Sequence, residues 1–316
     1  MGCADPFLIE GPALISFSGG RTSGYLLHRI LERGLQPDVH VVFCNTGKED
    51  DRTLDFVREC GERWRIRVRW LEYRRQFLPR YRSPDAERRA WRIRNALQLH
   101  MQAPPPDVAA RRLEPGFVEV SYDTAARTTD PPSLTHPFTN LLCATGLPNA
   151  TTRLCTTELK IRVMKRFMIG QGYDAWSSVV GIRADEPRRV ARMRVKPPER
   201  WENELPLDDA GITEADVLDF WRQQPFDLAL PADPELGTYG GNCDLCHLKS
   251  DGKKVRLARE RPEVLDWWER MEEAAGQTFR PRLPVREVRR LSLVPAQRAP
   301  ALDNELTDLG DCICHE

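Results

Sequence analysis

The sequence predicts an α/β fold with a doubly wound, mostly parallel sheet that carries helices on both faces. Three observations support this prediction. Over the first 72 residues, short apolar runs alternate with amphipathic runs. The connections between these runs are short, which is typical of parallel strands joined by right-handed crossovers. A glycine turn flanked by hydroxyl residues joins the first apolar run to the first amphipathic run. Ligands of such sheets bind beyond the carboxyl ends of the strands.

The individual elements follow from these runs. Strands are expected near 13–17, 39–44 and 66–72, and helices near 22–34 and 51–64. From about 74 to 150 several prolines interrupt the pattern, so we expect an insertion over the active site, helical near 85–101 and looped afterwards. Alternation resumes with a helix near 157–169 and a strand near 176–181. Beyond 197 we expect helices near 213–223 and 262–275, packed by Trp221, Trp267 and Trp268.

Composition limits the class of protein. At 316 residues the chain is long enough for a substantial core, as one large domain or two modest ones. Its 47 basic residues balance its 47 acidic residues, so the net charge gives no argument for nucleic-acid binding. No apolar run approaches the roughly 20 residues that cross a membrane, and the N-terminus has no basic region followed by an apolar core. We therefore expect a cytoplasmic protein without a membrane partner.

The turn after the first strand has the composition of an anion-binding loop. Ser18 to Gly24 read Ser-Gly-Gly-Arg-Thr-Ser-Gly, and the helix that follows has first amide groups without intrahelical partners. The glycines let a phosphate approach the main chain, the serines offer hydroxyl donors, and Arg21 adds a positive fork. The alternative is an ordinary glycine-rich turn, because short motifs give false positives. The spacing fits neither a Walker A loop nor a dinucleotide-binding turn.

Local charge differs from the overall balance. Between Trp64 and Arg94, eleven arginines and three acidic residues are interleaved with six aromatic residues. Such a stretch could follow a phosphate backbone and stack bases, which makes nucleic acid a candidate partner through residues 64–94. The alternative is an amphipathic helix whose aromatic residues face the core. A second basic stretch at 183–200 strengthens the case for an anionic substrate.

Five ordered motifs resemble those of the phosphoadenosine phosphosulfate reductase family. They are the loop at 18–23, Cys-Asn-Thr-Gly-Lys-Glu at 44–49, Arg-Leu-Cys-Thr-Thr-Glu-Leu-Lys at 153–160, Gly-Ile-Arg-Ala-Asp-Glu-Pro-Arg-Arg at 181–189 and Gly-Asn-Cys-Asp-Leu-Cys at 241–246. They span about 230 residues and are similar above all to reductase-like proteins of phages and prophages. The resemblance implies an adenine nucleotide α-hydrolase-like fold with a pyrophosphate loop.

The resemblance also implies which residues bind ATP or an adenylyl sulfate, with Mg²⁺ as a candidate companion ion. These residues are Ser18, Gly19, Gly20, Arg21, Thr22, Ser23, Asn45, Gly47, Lys160, Arg183 and Arg188. For the last three, an ordinary surface ion pair is the alternative. Arg21 and the loop amides would stabilise charge on the phosphate oxygens, which makes Arg21 a candidate catalytic residue. The chain departs from the family at Thr22 and Asn45, where carboxylates are usual, and at Thr156, where cluster-containing enzymes have a second cysteine. The resemblance therefore supports the nucleotide site more than it supports assimilatory sulfate reduction.

Nine cysteines without a secretion signal favour metal or redox chemistry over a disulfide framework. Cys44 and Cys60 are predicted to fill buried positions as small hydrophobes. Alone, the Cys-x-x-Cys at 243–246 is equally compatible with a redox dithiol. By the resemblance, a four-iron four-sulfur cluster, or alternatively zinc, would be held by Cys155, Cys243, Cys246 and either Cys314 or Cys312. Cys143 is a further candidate for the fourth ligand.

The last residues have a second interpretation. Asp-Cys-Ile-Cys-His at 311–315 is similar to the Glu-Cys-Gly-x-His tail of the reductases. On that alignment Cys312 is the catalytic nucleophile, and His315 favours its thiolate. The alternative is a tail that only supplies metal ligands, because a Cys-x-Cys pair suits chelation.

Three functions remain open from the sequence. In the first, the enzyme transfers or reduces sulfur on an adenine nucleotide, with a thiol reductant such as thioredoxin. In the second, ATP adenylates a nucleic-acid base or another acceptor, and sulfur or an amine then replaces AMP. In the third, the chain is a non-catalytic nucleotide-binding or nucleic-acid-binding module. We expect a nucleotide-binding domain at 1–200 and a helical, cysteine-bearing region at 201–316, and homo-oligomer formation stays open.

Overall fold

A computed structural model describes residues 5–107, 116–148, 153–195, 199–241 and 243–295. Its main sheet has six strands in the order β4-β3-β2-β1-β5-β6, all parallel to their neighbours except β4, which is antiparallel to β3. These strands are β1 (Ala13–Ser16), β2 (Val39–Asn45), β3 (Val68–Tyr73), β4 (Phe117–Val120), β5 (Trp176–Val180) and β6 (Trp201–Glu204). A short ribbon pairs β7 (Ala232–Asp233) with β8 (Gly237–Thr238). The predicted α/β class and mostly parallel sheet are confirmed.

Helices surround this sheet. They are α1 (Arg21–Leu31), α2 (Asp51–Arg63), α3 (Pro84–Leu97), α4 (Pro137–Thr145), α5 (Leu154–Thr156), α6 (Arg162–Gly170), α7 (Pro187–Arg194), α8 (Pro206–Asp209), α9 (Glu214–Gln223), α10 (Asp251–Glu260), α11 (Val264–Ala275) and α12 (Val285–Ser292). A π-helical turn, Thr157–Ile161, joins α5 to α6. Capping side chains fix several starts: Asp50 accepts from the Arg52 amide at α2, and Thr213 and Asp216 form a capping box at α9. None of the helices in the described ranges is long and apolar enough to span a membrane.

Alternation along the strands divides the core between the two faces of the sheet. In β2, Val41 and Phe43 join the cluster that packs against α1, α2 and α9, whereas Val42 joins the opposite cluster with α4, α6 and α10 to α12. Trp221 lies in the first cluster, and Trp267 and Trp268 lie in the second, as predicted. The C-terminal helices therefore pack directly onto a face of the main sheet.

Two predictions about the middle of the chain were wrong. The segment after α3 was expected to be looped, yet it contains β4 and α4. Pro137 occupies the first turn of α4, where a backbone N–H would have no intrahelical partner, so its missing N–H breaks no hydrogen bond of the helix. His136 caps the same helix, because its side chain accepts a hydrogen bond from the Thr139 amide. The region beyond 197 was expected to be helical, but β6 extends the sheet past the predicted boundary at 200. Its short polar sequence, Trp-Glu-Asn-Glu, gives no apolar run that would predict a strand.

Candidate functional site

The loop between β1 and α1 lies at the carboxyl end of a central strand. Gly19 adopts a φ of +80°, and a Cβ there would lie 2.7 Å from Cγ2 of Thr53. Gly20 is the N-cap of α1 in an extended conformation, and no side chain caps this helix. The amide groups of the first turn therefore stay available to an anion, which also gains from the positive end of the helix dipole.

Ser23 holds the loop in shape. Its Oγ donates to the Gly20 carbonyl at 2.9 Å and accepts from the Ser18 amide at 3.2 Å. The Oγ atoms of Ser18 and Ser23 lie 3.0 Å apart. Ser23 is buried and Ser18 is half-buried, so the hydroxyl of Ser18 is the better placed of the two to meet a ligand.

Arg21 has a different partner from the one that the sequence predicted. Its Nε and Nη2 donate to the two carboxylate oxygens of Asp227 at 2.8 and 2.9 Å, and Nη2 also donates to the Leu228 carbonyl at 2.7 Å. The indole of Trp221 donates to the Arg21 carbonyl at 2.9 Å. Because a bidentate carboxylate engages the fork that was expected to meet a phosphate, Arg21 acts here as an anchor between the loop and residues 227–228. The catalytic role of Arg21 stays a prediction, and it would require the guanidinium to leave or share Asp227.

Of the other basic residues expected to bind phosphate or sulfate, Arg183 lies on the loop. Its Nη1 donates to Oγ1 of Thr22 at 3.1 Å, and Thr22 is buried. Its Nε pairs with Asp185 at 2.9 Å. Arg188 is exposed on α7. Lys160 is buried on the π-helical turn, and its Nζ lies 3.8 Å from Oε1 of Glu49.

The turn after β2 lies beside the loop and contains a buried polar network. Asn45 is fully buried: its Nδ2 donates to Glu72 at 2.6 Å and to the Ala126 carbonyl at 2.9 Å, while its Oδ1 accepts from the Gly47 amide. These bonds hold the turn after β2 in shape, and a direct contact between Asn45 and a nucleotide stays a prediction. Gly47 adopts a φ of +76°, and a Cβ there would lie 2.8 Å from Nε2 of His136.

Sequence reasoning missed the buried charges of this turn. Glu49 accepts from the amide and the hydroxyl of Thr46 and faces Lys160. Lys48 donates to the Thr128 carbonyl at 2.7 Å and lies over the ring of Trp267, and burial lowers its pKa to about 8. The available signal was the Lys-Glu-Asp run directly after an apolar strand, at the end of the sheet where ligands bind.

The Cys-x-x-Cys segment packs onto this same turn. Sγ of Cys243 lies 3.5 Å from Oγ1 of Thr46, and the Asp244 amide donates to the Lys48 carbonyl at 2.8 Å. Burial, together with the negative charge of Glu49, raises the pKa of the Cys243 thiol well above its usual value. In this position Cys243 is a poor nucleophile, because the thiolate is the reactive form.

The predicted metal site is incomplete in the structure. Across the described ranges, no three Cys, His, Asp or Glu side chains come together as a metal-ligating group, although Cys155, Cys243 and Cys246 all lie within them. The predicted fourth ligand, Cys314 or Cys312, and the predicted catalytic residues Cys312 and His315 lie outside the described residues. The described residues thus do not by themselves form a site that fits a cluster or zinc. Cys44, Cys60 and Cys143 are buried, and burial raises the pKa of Cys44 to about 12.

In the stretch 64–94, most aromatic residues face the core, whereas Trp91 and several arginines are exposed. Most of the aromatic side chains face the core: Trp70 and Tyr73 are buried, and Trp64, Phe77 and Tyr81 are half-buried. Trp91, on α3, is instead 54% exposed. Four exposed arginines lie near Trp91 in the sequence and form no ion pair with any residue that the structure describes. They are Arg80, Arg82, Arg89 and Arg92.

Comparison with known proteins identifies a relative in a bacteriophage. No protein-family model matches the chain. Over 257 residues it is 31% identical to the uncharacterized nin region protein ORF290 of Escherichia phage lambda, an alignment that covers 80% of this chain and 71% of the relative. The name of that protein states no activity.

Proposed function

The chain belongs to the family of the nin region protein ORF290 of Escherichia phage lambda, and we propose that it is an enzyme that binds an adenine nucleotide, ATP or an adenylyl sulfate. The proposed chemistry is sulfur transfer or reduction of the kind performed by phosphoadenosine phosphosulfate reductases. One observation supports the nucleotide site above all others. No side chain caps α1, whose N-cap is Gly20 in the loop that follows the central strand β1.

The surroundings of that helix start suit a polyphosphate. Gly19 lets the loop pack closely against Thr53 and Val57, where a Cβ would clash, and its positive φ suits glycine. Gly20 adds no side chain at the helix start, and the hydroxyl of Ser18 lies beside that of Ser23. Arg183 brings a positive charge to Thr22 within the loop. Backbone amides, a helix dipole and a guanidinium together stabilise developing negative charge on phosphate or sulfate oxygens.

The reductive reaction needs a thiolate in addition to this loop. We assign that role to Cys312, since desolvation and the charge of Glu49 raise the pKa of the half-buried Cys243 thiol. The Cys312 sulfur would attack the sulfonate sulfur of the adenylyl sulfate, and the bond to the phosphate oxygen would break as the nucleotide leaves. A thiol of the reductant would then attack Cys312, which releases sulfite and leaves a disulfide.

A second candidate function is ATP-dependent adenylation and modification, such as thiolation, of a nucleic-acid base. The exposed Trp91, accompanied by unpaired arginines, favours it, because a stacking ring among positive charges suits a single strand. In this reaction an acceptor oxygen attacks the α-phosphorus of ATP and pyrophosphate leaves. A sulfur or amine nucleophile then displaces AMP from the acceptor.

The two reactions differ in their products. The full-length protein is incubated with radiolabelled ATP, with and without single-stranded RNA or DNA, and separately with an adenylyl sulfate and reduced thioredoxin. Sulfite release supports reduction, whereas pyrophosphate release that depends on nucleic acid supports adenylation. Nucleotide binding without either product leaves a binding module as the function.

Binding itself is tested by calorimetry on Ser23→Ala. This change removes the hydroxyl that joins the Ser18 amide to the Gly20 carbonyl, so nucleotide affinity should fall by about tenfold or more. Ser292→Ala, at the end of α12, is the matched control and should bind as the wild type does. If neither ATP nor an adenylyl sulfate binds the wild type, the proposed function is wrong.

A further inference from the structure

A cavity of about 240 Å³ lies between one face of the main sheet and helices α6 and α7. Three adjacent strands form its floor. The register places Trp176 opposite Trp201, and Ser178 opposite Asn203. Met164 of α6 and Met193 of α7 face this floor from the helical side. The floor includes Leu14, Ser16, Trp176, Ser178, Trp201 and Asn203.

Two serines of this floor occupy positions where a covered parallel strand usually has a large apolar residue. Ser16 lies in β1, and Ser178 lies in the adjacent strand β5. Both are half-buried, and within the described ranges neither hydroxyl makes a hydrogen bond. A hydroxyl facing an apolar chamber lowers stability unless it finds a partner. Small size and unpaired hydroxyls therefore both indicate a place for a ligand with hydrogen-bonding atoms.

The aromatic and thioether side chains that line the cavity favour a flat ring. The indoles of Trp176 and Trp201 are stacked, with centroids 5.6 Å apart and planes inclined by 24°. Thioether groups of methionine, such as those of Met164 and Met193, contact aromatic rings favourably and adapt to their outline. An aromatic ring with heteroatoms could pack against these apolar groups while it bonds the serine hydroxyls.

The cavity continues into a basic cleft of about 230 Å³. The two share Ile161, Arg192 and Met193, and the cleft is further lined by Arg153 and Arg189. Arginines suit phosphate because their planar fork matches its oxygens. A ligand that fills both spaces would therefore have an apolar, planar body and an anionic group.

We propose that this cavity binds a nucleoside monophosphate unit, with its base beside Ser16 and Ser178 and its phosphate at Arg192. The unit is either a free nucleotide or one nucleotide of a single strand, since both present the same chemistry. None of residues 18–23 of the phosphate loop lines this cavity. In the adenylation reaction, this cavity would hold the acceptor nucleotide, and that role rests on the proposed function. The binding of a nucleoside monophosphate to the cavity does not depend on it.

Calorimetry with AMP, GMP, CMP and UMP, their nucleosides and single-stranded oligonucleotides tests the proposal. Ser178→Val fills the floor and removes a hydroxyl, so it should weaken binding of the preferred monophosphate by about tenfold or more while the thermal midpoint stays unchanged or rises. Ser177→Val is the matched control, because neighbouring side chains of a strand point to opposite faces. Arg192→Gln should weaken binding of the monophosphate by about tenfold and leave the nucleoside unaffected. If the oligonucleotide binds more tightly than the free monophosphate, the bound nucleotide belongs to a single strand.

Three results would overturn the proposal. They are no binding of any probe to the wild type, equal binding by Ser178→Val and the wild type, and competition between the monophosphate and ATP for one site. The last result would assign the cavity to the loop-bound nucleotide. A quench of tryptophan fluorescence that disappears in Trp201→Phe provides an independent readout. The proposed function fails on a different result: ATP would not bind at the loop, while the monophosphate would still bind in the cavity.

Discussion

Nδ2 of Asn45 lies 2.6 Å from Oε1 of Glu72, where β2 and β3 end side by side beneath the candidate site. Both side chains are buried, and burial raises the pKa of Glu72. An amide at position 45 can donate to this carboxylate, whereas an ionised aspartate would repel it. Asn45 stands where the phosphoadenosine phosphosulfate reductases, which the sequence resembles, usually have aspartate, and its neighbour Glu72 accepts a hydrogen bond that, of these two side chains, only the amide can donate.

Asn45→Asp should lower the free energy of unfolding by about 1–3 kcal/mol near neutral pH, because it sets two carboxylates against each other in a buried place. The loss should shrink as the pH falls. The folded-state pKa of the pair is raised, so stability is present below the ordinary carboxyl pKa and is lost as the pH rises through the folded value. Urea unfolding at pH 5, 7 and 8.5 measures this. Asn95→Asp, on the exposed side of α3, adds the same charge and should have little effect at any of these pH values; an equal loss in both variants would contradict the prediction.

The pairing of Arg21 with Asp227 predicts a coupled effect on nucleotide binding. If Arg21 anchors the loop, Arg21→Gln and Asp227→Asn should each weaken ATP binding by about three- to tenfold, and the double variant should be no weaker than either single one. A direct contact with phosphate would instead make Arg21→Gln far more damaging than Asp227→Asn. Calorimetric titration of the four proteins with ATP separates these outcomes.

Lys48 predicts a pH dependence of stability above neutrality. Burial lowers its pKa from the usual 10.5 to about 8. Between these values the unfolded chain holds a proton that the folded protein lacks, so the contribution of Lys48 to the free energy of unfolding rises with pH from about 8 to 10.5. Lys48→Met removes this contribution, and the wild type should gain stability relative to the variant as the pH rises. Urea unfolding at pH 7.5, 8.5 and 9.5 measures the difference, and a constant difference would count against the burial of Lys48.

The sequence predicted those features that depend on neighbouring residues. The elements of the first 72 residues and the loop at 18–23 follow from local alternation and from glycines next to hydroxyls. The partner of Arg21 could not be predicted in this way, since Asp227 is 206 positions away. The pairing of Asn45 with Glu72 likewise depends on the register of two strands. β6 was missed because its four residues carry a pattern that only its position at the edge of the sheet explains.

Trp91 allows the nucleic-acid hypothesis to be tested independently of catalysis. Its ring is 54% exposed on α3, while the other aromatic residues of 64–94 are buried or half-buried, so it is the ring of this stretch best placed to stack a base. Trp91→Ala should weaken binding of a single-stranded oligonucleotide by about 1–3 kcal/mol, because one stacking contact is lost. Replacing Arg82 and Arg89 by glutamine should reduce the slope of log K against log salt, since fewer counterions are released. Fluorescence anisotropy at several salt concentrations measures both effects. Trp64→Phe, at a half-buried position, is the matched control; if it weakens binding as much as Trp91→Ala, or if the salt slope does not change, α3 is not the surface that contacts nucleic acid.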